Sequence, residues 1–155
     1  MIKILFICHG NICRSACAQY VFQDMVDRAG LAGQFDIDSA ATSTEELGNP
    51  VYPPMKKVLD AHGIRCAGHS AKQMTKRDYD KYDMLIASDE ENLYYMRRIC
   101  KGDPEGKFLS PYGLYGEAGN RDLGSLVYAG FRTGLPGCGE GMYRPAEETE
   151  ACVDM

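Results

Sequence analysis

The chain has 155 residues, of which 45% are hydrophobic, and its formal charge at pH 7 is -5. A chain of this size forms one ordinary domain and buries a core without help from disulfides or metals. The acidic balance argues against nucleic-acid and anionic-membrane partners, because both require clustered Lys and Arg.

The N-terminal residues contain neither a run long enough to span a bilayer nor the cleavage pattern of a signal peptide. We therefore predict a cytoplasmic location and no membrane partner. An odd number of cysteines in such a chain argues against a disulfide framework. Paired zinc-ligand spacing is also absent, so we predict neither a metal site nor a cofactor. The seven cysteines are Cys8, Cys13, Cys17, Cys66, Cys100, Cys138 and Cys152.

The first half of the chain alternates between strand and helix patterns. Residues 2–7 are a short apolar run that predicts a buried strand ending at Cys8. From Ser15 the apolar residues recur at helical spacing, and Gly30 ends that helix. Residues 35–39 alternate like a second strand, and residues 51–62 have the pattern of a second helix.

The second half begins with the same alternation. Residues 82–87 predict a third strand, residues 89–98 a helix with acidic residues at its start, and residues 107–110 a fourth strand. Strands that alternate with helices indicate a parallel sheet covered on both faces. We predict an α/β fold, a single-domain three-layer sandwich with a four-stranded parallel sheet. The ligand crevice of such folds lies beyond the carboxyl ends of the strands, where Cys8 is expected.

The junction between the first strand and the first helix has the spacing C-x5-R, from Cys8 to Arg14. A loop of this length allows successive backbone N–H groups to converge on a phosphate, and the following helix N-terminus adds positive potential. Arg14 supplies a planar fork for two phosphate oxygens. Gly10 allows backbone conformations that a Cβ would penalise. The predicted phosphate-binding residues are His9, Gly10, Asn11, Ile12, Cys13 and Arg14.

The same N–H donors stabilise a thiolate, which makes Cys8 a candidate nucleophile that forms a phosphocysteine intermediate. The alternative interpretation is structural. Cys8 is then a small hydrophobic residue at the end of a buried strand, and Arg14 is a surface residue. The spacing C-x5-R alone is a weak signal, and its position between strand and helix strengthens it.

The segment from Cys8 to Ser15 closely resembles the signature of low-molecular-weight protein tyrosine phosphatases, and the resemblance extends over about residues 2 to 110. Further segments fit in the order that this family shows: Asp38-Ser39-Ala40, His62-Gly63-Ile64, His69-Ser70-Ala71-Lys72-Gln73, Thr75-Lys76 and Ser88-Asp89-Glu90-Glu91-Asn92-Leu93. The resemblance implies a phosphoric monoester hydrolase that acts on a phosphotyrosine-containing protein or a small aryl phosphate and releases inorganic phosphate.

The resemblance also implies a supporting hydrogen-bond network that holds the loop and tunes Cys8. Each member has a simpler interpretation: Asn11 as a turn residue, Ser15 as a helix cap, Ser39 as a strand-end hydroxyl and His69 as a loop histidine. Cys13 lies in the same loop as Cys8 and is a candidate redox partner that traps an oxidised Cys8 as a disulfide. The predicted network consists of Asn11, Ser15, Ser39 and His69.

The general acid of this family is an aspartate in an Asp-Pro-aromatic segment near the C-terminus, and no Asp-Pro follows Asp103-Pro104. Beyond Pro111 the apolar periodicity ends, and nine of the 17 glycines lie in residues 113–141. With suitable synonymous codons, a one-base shift near Leu123 and Gly124 reads Asp-Pro-Trp-Tyr followed by an amphipathic helix. We therefore predict a phosphatase domain over residues 1–123 and an atypical tail, frame-shifted or poorly ordered, over residues 124–155.

Loss of that acid predicts impaired catalysis. The nearest acidic residues, Glu117 and Asp122, are not assigned as catalytic. The alternatives are a phosphate-binding pseudophosphatase, or an arginine phosphatase or arsenate reductase of the same fold. Ile12 favours phosphotyrosine over phosphoarginine, because resemblance to the arginine-specific members of the fold would place Thr at this position. Arsenate reduction needs relay cysteines, and Cys66 alone lies downstream near the site. A zinc-binding interaction module is disfavoured, because the sequence lacks the ligand spacing that zinc requires.

Overall fold

The computed structural model describes residues 1–109. The predicted tail, the acidic residues Glu117 and Asp122, and the last two cysteines lie outside the described residues. The elements are β1 (Ile2–Cys8), α1 (Arg14–Arg28), a 3-10 turn (Ala32–Gln34), β2 (Phe35–Ala41), α2 (Pro53–Ala61), α3 (Lys76–Lys81), β3 (Met84–Ala87), α4 (Glu90–Cys100) and β4 (Phe108–Leu109).

The four strands form one parallel sheet in the order β2-β1-β3-β4. Strand β1 lies between β2 and β3, and Ile4 has Ile37 on one side and Met84 on the other. A strand in this position is buried on both faces, which explains the continuous apolar run at its centre. The predicted α/β fold with a four-stranded parallel sheet is confirmed.

The side chains of β1 alternate between two layers of helices. Ile4 and Phe6 pack on one face, in a cluster with Phe22 and Val26 of α1. Because neighbouring residues of a strand point to opposite faces, the next residues reach the other side of the sheet. There Leu5 and other β1 and β3 residues pack with α3 and α4. Helices therefore cover both faces, as a three-layer sandwich requires.

A third cluster joins α1 to α2 rather than to the sheet. Val21 of α1 packs in this cluster with Met55 and Leu59 of α2. Directly before α2, the backbone N–H of Tyr52 donates to the carbonyl oxygen of Ile12 at 2.9 Å. The packing of α2 therefore fixes a segment that holds the loop after β1.

Helix α3 is absent from the sequence prediction. It has six residues, and Tyr79 is its one buried residue, so it carries no apolar period. Its start carries one capping signal nevertheless, because the carboxylate of Asp78 accepts from the backbone N–H of Thr75 at 2.8 Å. Short charged helices of this kind depend on caps and tertiary packing rather than on periodicity.

Within residues 1–109, no helix combines the length and the apolar character needed to cross a membrane.

Candidate active site

The loop after β1 is tied to the end of β2. Cys8 is the last residue of β1 and is 3% exposed. Its carbonyl oxygen accepts from the backbone N–H of Thr42 at 3.0 Å. The carbonyl oxygen of His9 accepts from both the backbone N–H and the side-chain hydroxyl of Ser43. These bonds hold the loop at the carboxyl end of the sheet, as predicted for Cys8.

Two polar groups contact the sulfur of Cys8. The backbone N–H of Asn11 donates to Sγ at 3.2 Å, and Oγ of Ser15 lies 3.0 Å from it. Because an amide N–H can only donate, it favours negative charge on the sulfur. The structure therefore gives Cys8 the surroundings of a nucleophile in addition to those of a buried strand end.

Asn11 is the centre of the predicted supporting network. It is wholly buried, and its φ of 60° is in the left-handed region that Asn tolerates better than most residues. Its Nδ2 donates to Oγ of Ser15 at 2.9 Å and to Oγ of Ser39 at 2.8 Å. Its Oδ1 accepts from the backbone N–H of Lys72 at 3.2 Å. The turn-residue interpretation thus holds for the backbone of Asn11, while its side chain connects α1, β2 and the loop that contains Lys72.

His69 approaches the same residue from the backbone side. Its Nε2 lies 2.6 Å from the carbonyl oxygen of Asn11, and its Nδ1 lies 2.9 Å from the hydroxyl of Tyr20. All four predicted network residues are therefore brought together around the loop. Ser39 further donates from Oγ to Oε1 of Gln19.

Arg14 is 8% exposed and points its guanidinium toward helix α4. Its Nη1 donates to Oδ2 of Asp89 at 2.6 Å, so Arg14 is not the surface residue of the structural alternative. Burial alone would lower the pKa of Arg14, but the hydrogen bond and negative charge of Asp89 outweigh it, and the pKa is raised. The bond to Asp89 uses one of the five guanidinium N–H groups and holds the guanidinium toward the start of α4.

A cavity of 390 Å³ opens over the loop. The sulfur-bearing residue Cys8 and the guanidinium-bearing Arg14 both line it, which places the two predicted catalytic residues at one site. Asn11 is not among the lining residues, so its side chain supports the loop from behind. The cavity is lined by Cys8, His9, Gly10, Ile12, Cys13, Arg14, Glu45, Glu46, Asp89, Glu91 and Asn92.

The predicted reason for Gly10 is wrong. Its φ is not positive, so the backbone there does not require glycine. Instead, a Cβ at this position would lie 3.1 Å from Cγ of Glu46, which makes the constraint one of space. Cys13, the other residue with a separate predicted role, lines the same cavity as Cys8, and its redox role stays a prediction.

The sequence reasoning missed Asp89, Gln19 and Tyr20. Asp89 was recognised as part of a helix start, and it does cap α4 by accepting from the backbone N–H of Asn92 at 2.7 Å. Its other oxygen holds Arg14. The available signal was its position just after a central strand, where ligand sites of parallel sheets lie. Gln19 and Tyr20 follow Ser15 by about one helical turn, which was the one signal for them.

Within the described residues, no group of three or more His, Cys, Asp or Glu side chains is placed to hold a metal ion. The site consists of a thiol, a guanidinium and hydrogen-bond donors around a concave space. Such a set binds a tetrahedral oxyanion and presents a sulfur nucleophile to it.

The chain has a parallel sheet between helices, and its first strand ends in the loop from Cys8 to Arg14. These features define a class of α/β proteins that bind phosphate in the loop after the first strand. The family model described as low molecular weight phosphotyrosine protein phosphatase matches residues 3–110. The chain belongs to this family.

Two curated relatives and one solved structure show the extent of the similarity. The low molecular weight protein-tyrosine-phosphatase YfkJ of Bacillus subtilis is 39% identical over 100 residues, which are 64% of this chain and 64% of that protein. The low molecular weight phosphotyrosine protein phosphatase of Schizosaccharomyces pombe is 34% identical over 140 residues, covering 90% of this chain and 86% of the relative. The crystal structure of YfkJ superposes with a TM-score of 0.73 at 26% identity, covering 99% and 95% of the two chains.

Proposed function

We propose that the chain is a cytoplasmic protein tyrosine phosphatase that hydrolyses phosphotyrosine, or a small aryl phosphate, through a phosphocysteine intermediate on Cys8. The observation that carries the proposal is the pair of contacts on the Cys8 sulfur, from Asn11 at 3.2 Å and Ser15 at 3.0 Å, in the cavity that Arg14 also lines. The names of the relatives and the family assignment support the same reaction class.

In the first step Arg14 binds phosphoryl oxygens, and Sγ of Cys8 attacks phosphorus. The S–P bond forms while the bond between phosphorus and the tyrosyl oxygen breaks, and the leaving oxygen takes up a proton from solvent water. In the second step water attacks phosphorus, the S–P bond breaks, and inorganic phosphate leaves. The cysteine returns as a thiolate, which the N–H of Asn11 and the hydroxyl of Ser15 stabilise.

The second part of the proposal is that catalysis is impaired because the C-terminal acid is missing. We place the phosphatase domain at residues 1–123 and an atypical tail at residues 124–155. The family match ends at residue 110, before that boundary, whereas the alignment with the S. pombe relative covers 90% of the chain and extends into the tail. Of the carboxylates that line the cavity, Asp89 holds Arg14 and Glu45 bonds His9. None of them is assigned as a replacement acid.

A leaving-group comparison tests the missing acid. An activated phenolate leaves without protonation, whereas a tyrosyl oxygen needs an acid that typically contributes about 10²- to 10⁴-fold. Replacing residues 124–155 with the shifted-frame sequence should accelerate phosphotyrosine hydrolysis more than hydrolysis of an activated aryl phosphate. Equal acceleration of both substrates in equally folded preparations would contradict the argument and make Asp122 the next residue to test.

Substitution of the nucleophile tests the reaction itself. Cys8→Ser should abolish turnover of an activated aryl phosphate and keep the binding of inorganic phosphate, because the loop remains. Cys100→Ser is the matched control, since Cys100 is also buried but is the last residue of α4 and does not line the cavity. Hydrolysis by Cys8→Ser at the wild-type rate would sink the proposal.

The runner-up is a phosphate-binding protein without turnover, which the missing acid favours. It predicts phosphate binding with no release of phenolate even from an activated ester. Arsenate reduction is less well supported because Cys66 packs in the α1–α2 cluster and does not line the cavity. Burial raises the pKa of the Cys66 thiol, which keeps it in the unreactive protonated form.

A further inference from the structure

A chain of hydrogen bonds runs from helix α1 to the back of the loop. The hydroxyl of Tyr20 lies 2.9 Å from Nδ1 of His69, and Nε2 of His69 lies 2.6 Å from the carbonyl oxygen of Asn11. The N–H of Asn11 then donates to Sγ of Cys8. Tyr20 does not line the cavity, and these hydrogen bonds connect it to the sulfur indirectly.

The chemistry of the partners fixes where the protons lie. A carbonyl oxygen only accepts, so Nε2 of His69 must carry the proton that it donates to Asn11. In the neutral ring Nδ1 is then a bare acceptor, and the Tyr20 hydroxyl is the donor that meets it. The opposite tautomer would leave Nε2 without a proton, facing a carbonyl oxygen at 2.6 Å. Two unprotonated acceptors at that distance repel each other.

We propose that Tyr20 is a positioning residue for the phosphate loop: its hydroxyl holds His69 in the tautomer whose Nε2–H binds the carbonyl oxygen of Asn11. The carbonyl belongs to the residue with the left-handed backbone, so this bond holds the turn that aims the Asn11 N–H at Cys8. The inference rests on the proposed phosphatase function for its kinetic consequence, and its tautomer consequence is independent of that function.

The surroundings of Tyr20 suit a permanent donor. Burial, with the nearby Cys66 and Asp38, raises the pKa of the Tyr20 hydroxyl to about 12, so the phenol keeps its proton. The rings of Tyr20 and His69 also meet edge to face, with centroids 5.6 Å apart and planes at 80°. A phenylalanine preserves this ring contact and removes only the hydroxyl, which makes Tyr20→Phe a clean test.

The first measurement is the ring-nitrogen spectrum of the full chain by ¹⁵N NMR. For the neutral ring we expect the Nε2–H tautomer of His69, with Nδ1 bare. His62 is an internal reference with the opposite tautomer, in which Nδ1 carries the proton. Its Nδ1 lies 2.9 Å from the carbonyl oxygen of Val58 and must donate to it. In Tyr20→Phe, His69 should shift toward a mixture of tautomers while His62 stays unchanged. A wild-type His69 protonated on Nδ1 alone would overturn the proposal without any variant.

The second measurement is kinetic. Losing one neutral hydrogen bond behind the loop should lower kcat/KM for an activated aryl phosphate by about three- to tenfold. Tyr79→Phe is the matched control, because it removes a hydroxyl that donates to Asp103 and accepts from the N–H of Glu105. Tyr79 lies outside the cavity, so kcat/KM should stay within about twofold. The melting temperature should fall at least as much as that of Tyr20→Phe, because two hydrogen bonds are lost and one of them is to a carboxylate.

A double substitution separates positioning from general stability. If Tyr20 acts through His69, Tyr20→Phe should change kcat/KM further by less than about twofold in a His69→Ala background. Equal effects in both backgrounds, or wild-type kcat/KM in the single variant, would overturn the proposal. If the wild-type chain lacks turnover, the proposed function fails, and the inference is decided by inorganic phosphate affinity and the His69 tautomer in Tyr20→Phe. An unchanged affinity or tautomer then overturns it.

Discussion

Replacing Asn11 tests how the loop is built. The residue is wholly buried, has a φ of 60°, and makes side-chain hydrogen bonds to Ser15, Ser39 and the backbone of Lys72. Alanine loses these bonds and must still adopt a left-handed backbone. Glycine loses the same bonds without the backbone penalty. The two variants therefore separate the side-chain network from the conformation of the turn.

The partners of Asn11 determine the size of the effect. Ser15 keeps its contact with Cys8, and Ser39 keeps its bond to Gln19, so neither hydroxyl becomes isolated. With about 1 kcal/mol for each of three hydrogen bonds, Asn11→Gly should lower the free energy of unfolding by about 3 kcal/mol. Asn11→Ala should lower it by about 4 kcal/mol, because the left-handed backbone adds about 1 kcal/mol.

The assay is equilibrium unfolding in urea followed by circular dichroism, with inorganic phosphate binding measured on the same preparations. Both variants should bind phosphate more weakly than the wild type, because the loop loses its central support. A loss of stability below about 1 kcal/mol in both would refute the network argument. Equal stabilities of the two variants, within about 0.3 kcal/mol, would refute the backbone argument.

Three further substitutions probe the cavity wall. In steady-state assays Arg14→Lys should lower kcat for an aryl phosphate by roughly 100-fold or more. The ammonium group of Lys is a point charge and cannot bind two oxygens of the transferring phosphoryl group as the bidentate guanidinium does. Near-normal turnover would make Arg14 structural. Asp89→Asn should lower the free energy of unfolding by about 1 to 2 kcal/mol in urea titrations and raise KM, since a partly exposed charge that holds Arg14 is lost; unchanged KM would contradict this orienting role. Gly10→Ala should lower stability by less than about 1 kcal/mol, and adding Glu46→Ala should restore it, because the new Cβ meets a flexible side chain; no restoration would place the conflict elsewhere.

Local signals carried most of the fold prediction. Strand β1 and helix α1 were predicted because a buried strand and an amphipathic helix have different apolar periods, and both patterns are strong there. Helix α3 was missed because its charged residues have no such period. The strand order β2-β1-β3-β4 is a tertiary property that no local pattern of the chain contains.

The site divides in the same way. The loop from Cys8 to Arg14 is continuous in sequence, so its chemistry was predictable from spacing and residue type. Asp89 lies 75 positions from Arg14 and meets it only because β3 pairs with β1. Tyr20 and His69 are 49 positions apart and meet through the packing of α1. Contacts of this kind depend on the arrangement of elements, which the sequence patterns left open.

The most direct test of the central claim is to trap the intermediate. The full chain is mixed with an activated aryl phosphate, quenched within its first turnovers, digested and analysed by mass spectrometry under conditions that preserve thiophosphates. We predict a phosphoryl group on the peptide that contains Cys8, and none on any peptide of Cys8→Ser. Phenolate release with the phosphoryl group on another residue, or with the same yield of labelled peptide from Cys8→Ser, would contradict the account.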